Sequence, residues 1–211
     1  MDLFPIFLKL TARPCLVIGA GTLAQSKIES LRAAHARITV IAPQANQAIQ
    51  DLAASGELSL HQRPYQPGDI APGTFLVVTA TNRPEINRAV YHEAAAANVL
   101  CNAVDDPPFC DFYFPSVVRR GDLQIAISTA GASPALAQRL RKEINDQLPL
   151  DTGDWLTDLG NLRREVVAAE PLNEQRRLLL HQLAQREVCG YEDCPSRTLA
   201  RQHALTNPKP S

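Results

Sequence analysis

Nowhere does this 211-residue chain carry the run of about 20 apolar residues that crosses a bilayer as a helix, and its opening, MDLFPIFLKL, has neither a basic leader nor a small-residue cleavage site. The expectation is a cytoplasmic protein with no membrane partner. An excess of one charge is also missing, since 21 Lys and Arg stand against 22 Asp and Glu for a net charge of −1. Such a chain has no global attraction for nucleic acid, and a polyanionic ligand must be met by local basic residues. The five cysteines, Cys15, Cys101, Cys110, Cys189 and Cys194, are odd in number and scattered, as reduced thiols are and disulfide frameworks are not. Cys189 and Cys194 have four residues between them and no second pair to complete a zinc site. Nor do His35, His61, His92, His181 and His203 show ligand spacing, so no resident metal is expected.

What the chain does have is a regular alternation. The apolar run Cys15 to Ile18 meets GAGTLAQSK and a helical pattern through Ala33, and a second strand follows at Ile38 to Ala42. This is the start of a βαβ unit. Next come a helix over Gln47 to Ala54, a strand over Leu58 to His61, the buried-type strand Phe75 to Ala80, a helix from Arg83 to Ala97 and a strand over Val99 to Val104. Strands alternating with helices predict an α/β fold, with a mostly parallel, doubly wound sheet of Rossmann type covered on both faces.

After Asp105 the rhythm changes. FYFPSVV and LQIAIS read as the two strands of a hairpin whose turn is Arg119, Arg120, Gly121 and Asp122. Ser133 reads as the N-cap, and Pro134 as the first residue, of a helix reaching Leu148. From Asp151 onward the spacing of Trp155, Leu159, Leu162 and Val166, then Leu178 to Leu183, predicts helices, with a frayed tail from Thr206. The expected organisation is a nucleotide-binding domain over 1–112, a hairpin-and-helix region over 113–149 and a helical C-terminal domain over 150–211.

The loop VIGAGTLA carries the first functional signal. Gly19 permits a tight turn, Gly21 lets the backbone approach a pyrophosphate, and the helix opening near Thr22 offers free N–H groups and the positive end of its dipole. Ala24 takes the third position, where the fingerprint tolerates it. Placed between a strand and a helix, this loop predicts a bound dinucleotide. The carboxylate that should end the second strand and bind ribose hydroxyls is missing, because the chain there reads IAPQ, Ile41 to Gln44, and no arginine awaits a 2′-phosphate either. NAD against NADP stays open on these grounds. Pro43 and Gln44 are expected to border the adenosine, and Thr81, just past the strand FLVVTA, is a further cofactor position.

Ligands of a doubly wound sheet collect beyond the carboxyl ends of its strands, which directs attention to Asn102 and Asp105 in CNAVDDPPFCDFYFPS. Asp105 reads either as a general base or as a turn residue, and Asp-Asp-Pro on position alone favours the turn. Asp106 and Asp111 are weaker candidates. The loop STAGASP, Ser128 to Pro134, repeats the strand-to-capped-helix logic of a second anion site. Arg119, Arg120, Arg139, Arg141 and Lys142 add cations suited to carboxylates, although such residues more often face solvent.

Taken together, LFPIFLKL, CLVIGAGTLAQSK, VVTATNRPEIN, CNAVDDP and FYFPSVVRRGDLQIAISTAGASPALAQRLR, in this order over roughly residues 1–150, resemble the precorrin-2 dehydrogenase family, the dehydrogenase and chelatase module of siroheme synthase. The resemblance implies NAD as cofactor, oxidation of precorrin-2 to sirohydrochlorin and, in some members, insertion of ferrous iron to give siroheme. It implies that Asp105, at the aspartate of the family's CN-x-V-D pattern, is the catalytic carboxylate. It implies further that Thr22 and Leu23 contact the pyrophosphate, Pro43 and Gln44 the adenosine side, and that Asn102, Pro115, Ser116, Ser128 and Thr129 line the tetrapyrrole cleft. A homodimer built on the hairpin and following helix is implied too, in a stand-alone form without a methyltransferase domain. The contrasting reading is an NAD-sensing regulatory module without catalysis, which needs the glycine loop but neither CNAVDDP nor the FYFPS hairpin.

Overall fold

The computed structural model describes residues 3–169 and 171–184, so Cys189, Cys194, His203 and the tail from Thr206 lie outside the described residues. The chain divides into two compact units, one over Phe4 to Phe114 and one from Pro115 onward. Among the described residues no helix is long and apolar enough to cross a membrane.

In the first unit the strands β1 (Pro14–Ile18), β2 (Arg37–Ile41), β3 (Ser59–His61), β4 (Leu76–Thr79) and β5 (Leu100–Ala103) form an all-parallel sheet in the order β3-β2-β1-β4-β5. Between them run α1 (Thr22–Ala33), α2 (Gln47–Ala54) and α3 (Pro84–Ala96). Successive strand side chains point to opposite faces, and both faces are used. Cys15, Val17, Leu76 and Val78 pack with Ala24, Ile28 and Leu31 of α1 and Ile49 of α2, whereas Leu16, Ile18 and Val77 pack with Val90 and Ala94 of α3. Burial on both faces is why the strands read as unbroken apolar runs rather than as alternating ones. Asn46 starts α2, its Oδ1 accepting from Ile49 N at 3.0 Å, and Pro84 opens α3 where its missing N–H costs nothing.

Strand order reverses between β1 and β4, which are neighbours in register from Cys15↔Leu76 to Ile18↔Thr79. The loops leaving these two strands at their carboxyl ends therefore diverge, and the crevice between them is the switch point at which such sheets bind ligands.

The second unit opens with an antiparallel hairpin, β6 (Ser116–Arg120) and β7 (Leu123–Ile127), followed by α4 (Pro134–Gln147), α5 (Thr152–Ala169) and α6 (Glu174–Leu183). Here the sequence reading needs correcting. Arg119 and Arg120 are not turn residues but pair in the ladder with Gln124 and Leu123, leaving a two-residue turn of Gly121 and Asp122. Gly121 has φ +54°, the positive value that a type II′ turn requires at its first central position. Phe112 and Phe114 precede the strand instead of forming it and pack against the core of the first unit. Arg120 donates to Asn145 Oδ1 at 2.9 Å and Asn145 O at 2.8 Å, tying the hairpin to α4. At the start of α5, Gly153 lies so close that a Cβ there would sit 2.9 Å from Arg120 C and Gly121 N.

Candidate active site

The loop after β1 is built for close approach. Gly19 has φ +106°, and a Cβ on it would lie 2.3 Å from the carbonyl oxygen of Ala80, so no other residue fits. Gly19 N donates to Ile41 O at 2.9 Å, Ala80 N to Ile18 O at 2.8 Å and Asn46 N to Ala20 O at 3.1 Å, which stitches the loops beyond β1, β2 and β4 together. Gly21 is the opposite case, because a Cβ there would meet nothing within 4 Å on the protein side. Its openness leaves room for a ligand.

Gly21 is the N-cap of α1, and α1 has no capping side chain and no acid in its first turn. By contrast α2, α4 and α6 are capped by Asn46, Ser133 and Asn173. The first N–H groups of α1 are thus left for an external acceptor, with the helix dipole favouring a negative one. Thr22 and Leu23 stand exposed in that turn, and Pro43 and Gln44 are exposed beyond the end of β2. These residues fit the diphosphate and adenosine of a dinucleotide. Thr81 follows β4, with its Cγ2 3.4 Å from the position of a Gly19 Cβ. Its hydroxyl, however, turns toward Asn87 at 2.7 Å.

Three aspartates follow β5, and the fold uses them differently. Asp106 Oδ2 accepts from Arg88 Nε at 3.2 Å, while the Arg88 guanidinium lies 5.1 Å from the Phe109 ring centroid. Asp111 Oδ2 accepts from Cys101 N at 2.9 Å and its Oδ1 from the Tyr91 hydroxyl at 3.4 Å, and the Asp111 charge raises the Tyr91 phenol above its ordinary value. Asp105 is exposed and makes no hydrogen bond or ion pair among the described residues. It sits in a turn closed by Asp106 N donating to Ala103 O at 3.1 Å, with φ +64°. For a residue with a Cβ this conformation costs on the order of 1 kcal/mol. The turn expected at Asp105 is present, and it leaves the carboxylate exposed.

Asn102 is buried, donating from Nδ2 to Phe112 O at 2.7 Å and to Cys110 Sγ at 3.4 Å, so its amide holds the returning chain. Cys110 in turn donates to Ala103 O at 3.0 Å. Burial pushes the Cys101 thiol up to about 12, which makes it a neutral packing group rather than a nucleophile, and burial raises Cys110 as well.

One basic residue escaped the sequence reading. Lys27, on the second turn of α1, is half-buried with its Nζ 4.6 Å from the Phe114 ring centroid. Burial lowers its pKa, and the nearby Asp105 charge opposes that shift. Helical side chains lean toward the helix N-terminus, so the ammonium inclines to the end of the sheet where Asp105 stands. It forms no ion pair among the described residues. Lys27 closes the segment CLVIGAGTLAQSK, but its pairing with Phe114 is not readable there, since the ring lies on the far side of four strands in the sequence.

In the second unit, Ser128 Oγ accepts from Ala130 N at 3.1 Å and Thr129 Oγ1 from Ser133 N at 3.2 Å, so each hydroxyl keeps its own proton for a ligand. Ser133 Oγ accepts from Leu136 N at 3.2 Å, which spends one donor of the α4 N-terminus. Pro115 is exposed and Ser116 half-buried at the start of β6. Arg120 is committed to Asn145, and Arg139 pairs with Glu143 at 3.2 Å.

Known proteins resemble this chain in sequence and in fold. An NAD(P)-binding family model matches residues 6–116. The chain belongs to this NAD(P)-binding family. A model for the central part of sirohaem biosynthesis proteins matches residues 120–147. The siroheme synthase of Methylobacillus flagellatus is 35% identical over 97% of this chain and 44% of its own length, and that of Nitrosococcus oceani is 40% identical over 71% of this chain and 32% of its own. The chain thus spans less than half the length of these curated relatives. Among solved structures, SirC, precorrin-2 dehydrogenase, shares the fold with a TM-score of 0.76 at 24% identity, covering 97% of each chain. The likeness to siroheme synthases drawn from the motifs holds, as does the Rossmann-type sheet followed by a hairpin and helices.

Proposed function

We propose that this protein oxidises precorrin-2 to sirohydrochlorin with NAD⁺ in siroheme biosynthesis, with Asp105 as general base. The observation that carries the proposal is the division among the three aspartates beyond β5: Asp106 and Asp111 are hydrogen-bonded, whereas Asp105 is exposed with no hydrogen bond or ion pair among the described residues. NAD⁺, when bound, supplies the hydride acceptor. Backbone N–H groups at Thr22 and Leu23 hold its pyrophosphate, Gly19 and Gly21 give it room, and Pro43, Gln44 and Thr81 border the rest. Dehydrogenation also releases a proton from the substrate, and a carboxylate within reach of that proton accepts it. NADH and sirohydrochlorin leave.

NAD rather than NADP is supported by the absence of any cation between Ala42 and Ala48. Arg63, beyond β3, is held in a bidentate pair with Asp69 at 2.8 and 2.6 Å and so is not free for a 2′-phosphate. In this reading Pro115, Ser116, Ser128 and Thr129 line the tetrapyrrole, Asn102 acts by fixing the chain that carries Asp105, and the hairpin and α4 form a homodimer. Ferrous iron, where inserted, is a second substrate, and Asp105 would accept a pyrrole N–H proton as the metal enters.

Anaerobic incubation of the purified protein with precorrin-2 and NAD⁺ or NADP⁺, followed by sirohydrochlorin absorption, tests the proposal. Turnover with NAD⁺ is expected, together with an Asp105→Asn variant that binds NAD⁺ normally and turns over at least a hundredfold more slowly. NAD⁺ binding without turnover would favour the regulatory module. Adding ferrous iron to the same reaction separates insertion from oxidation.

A further inference from the structure

Asn87 is a polar residue on the apolar face of a helix. With Val90 and Ala94 it makes the i, i+3, i+7 stripe by which α3 packs on the sheet, and it is 6% exposed. A buried amide must find partners, and this one finds them almost entirely on a single residue. Its Oδ1 accepts from Thr79 Oγ1 at 2.7 Å, Thr81 Oγ1 at 2.7 Å and Thr81 N at 3.2 Å, while its Nδ2 donates to Thr81 O at 3.1 Å. The side chain thereby pairs with the N–H and C=O of Thr81 as a neighbouring strand would.

Thr81 needs such a partner because the sheet has ended. The ladder between β1 and β4 reaches its last bond at Ala80 N to Ile18 O, 2.8 Å, and the next residue has no strand to pair with. Yet the Ala80–Thr81 segment is the wall behind the nucleotide loop, with the Ala80 carbonyl pressed against Gly19 and the Thr81 methyl beside it. Where this wall stands fixes how Gly19 turns, and so where the free N–H groups of α1 point. The Thr81 hydroxyl proton is also accounted for. Asn87 Oδ1 at 2.7 Å takes it in preference to Arg83 O at 3.2 Å, and the hydroxyl oxygen accepts from Arg83 N at 3.2 Å.

We infer that Asn87 is a positioning residue of the nucleotide site: its amide clamps Ala80–Thr81 against Gly19, sets dinucleotide affinity without touching the ligand, and leaves Thr81 to act through its backbone rather than its hydroxyl. The inference rests on nucleotide binding and not on the identity of the oxidised substrate.

Fluorescence titration with NADH in the absence of any tetrapyrrole tests it, so failure of the dehydrogenase proposal leaves the result intact. Asn87→Asp keeps the acceptor atoms but loses the donor and sets a negative charge beside the Thr81 carbonyl, and a Kd at least tenfold weaker is expected. Thr81→Val is expected to weaken NADH no more than about threefold. Adding Thr81→Val to the Asn87 variant should then add nothing, because the hydroxyl acts through the amide. In turnover, the loss should appear in the nucleotide KM, with kcat at saturating nucleotide and the substrate KM unchanged. A merely structural asparagine would lower Tm without that split. NADH binding within twofold of wild type in Asn87→Asp overturns the inference, as does a Thr81→Val variant as weak as the Asn87 variant. Should Asn87→Asp not fold, Thr79→Val, which removes one donor from the same Oδ1, is expected to give two- to threefold weaker binding, and unchanged binding there refutes it.

Discussion

Gly19→Ala and Gly21→Ala differ by one methyl each, two residues apart in one loop, and the structure requires opposite outcomes for folding. A Cβ on Gly19 would stand 2.3 Å from Ala80 O and 2.8 Å from Ala80 C, against 3.4 Å for ordinary contact, so about 1 Å of separation must be found. Backbone, not a flexible side chain, is what has to move. The Ala80 carbonyl is held by the β4 ladder, by Ala80 N to Ile18 O and by the Asn87 clamp on Thr81, and each hydrogen bond loosened costs about 1 kcal/mol. Placing alanine at φ +106° adds roughly 1–3 kcal/mol. The sum is about 2–5 kcal/mol, which for a chain of this size lowers Tm by roughly 5–15 °C. At Gly21, by contrast, φ is −88° and a Cβ meets nothing within 4 Å, so the alanine variant should melt as wild type does. That empty space is where a pyrophosphate would approach the α1 N-terminus. NADH affinity is therefore expected to fall at least tenfold in Gly21→Ala with no change in Tm, and to fall together with Tm in Gly19→Ala. Thermal melts and NADH fluorescence on both variants read the two quantities separately. A Gly19→Ala protein with wild-type Tm, or a Gly21→Ala protein with wild-type affinity, would refute the reasoning.

Two further outcomes are expected. Lys27→Met keeps the aliphatic stem over Phe114 and removes the charge, so it should raise the substrate KM about tenfold, roughly 1.4 kcal/mol, while NADH affinity is unchanged and Lys27→Arg retains most of the activity; an unaltered KM would deny the ammonium any part in binding a carboxylated substrate. Burial holds Cys15 up to about 11 and Cys101 up to about 12, above the ordinary thiol value of 9.0, so the unfolded chain loses these protons before the folded one does. The stability this contributes is complete below pH 9 and is lost as pH rises toward 11 and 12, by about 1.4 kcal/mol per pH unit for each thiol. Urea melts between pH 8 and pH 11 on wild type and on Cys15→Ala with Cys101→Ala should show the variant with the flatter dependence, and parallel curves would rule this out.

Local chemistry is legible along the chain, and chemistry assembled from distant segments is not. The five strands fall within about a residue of the predicted segments, most closely explained for β1, β2 and β4, which are buried on both faces, and Gly19 and Gly21 stand out because a turn and a helix start are properties of adjacent residues. The first hairpin strand starts later than FYFPSVV suggests because FYF reads as strand by propensity, whereas Phe112 and Phe114 fill the core of the preceding unit. Asn87 had a signal that went unused, a polar side chain on the apolar stripe of α3 with Val90 and Ala94. Lys27 ends the segment GAGTLAQSK, but what gives it meaning is Phe114 and Asp105, both brought to it only by the folded sheet.

Position past β5 and the CN-x-V-D pattern single out Asp105 in the sequence, but the partners that occupy Asp106 and Asp111 are not readable there, and the reason lies in the sheet edge. β5 ends the strand order, so one side of it presents unpaired backbone groups that must be covered. The returning chain covers them. Asp111 N donates to Cys101 O at 2.8 Å, Cys101 N donates to Asp111 Oδ2 at 2.9 Å, and an isolated bridge joins Asn102 to Cys110. Asp111 is thus consumed by edge closure, and Asp106 by Arg88 on the adjoining helix. The chain reverses immediately after β5 in a turn closed by Asp106 N donating to Ala103 O, with Asp105 at φ +64° and exposed. Edge closure and the exposed carboxylate are consequently one device: the same reversal that protects β5 sets out the one aspartate of the three that has no hydrogen bond or ion pair among the described residues.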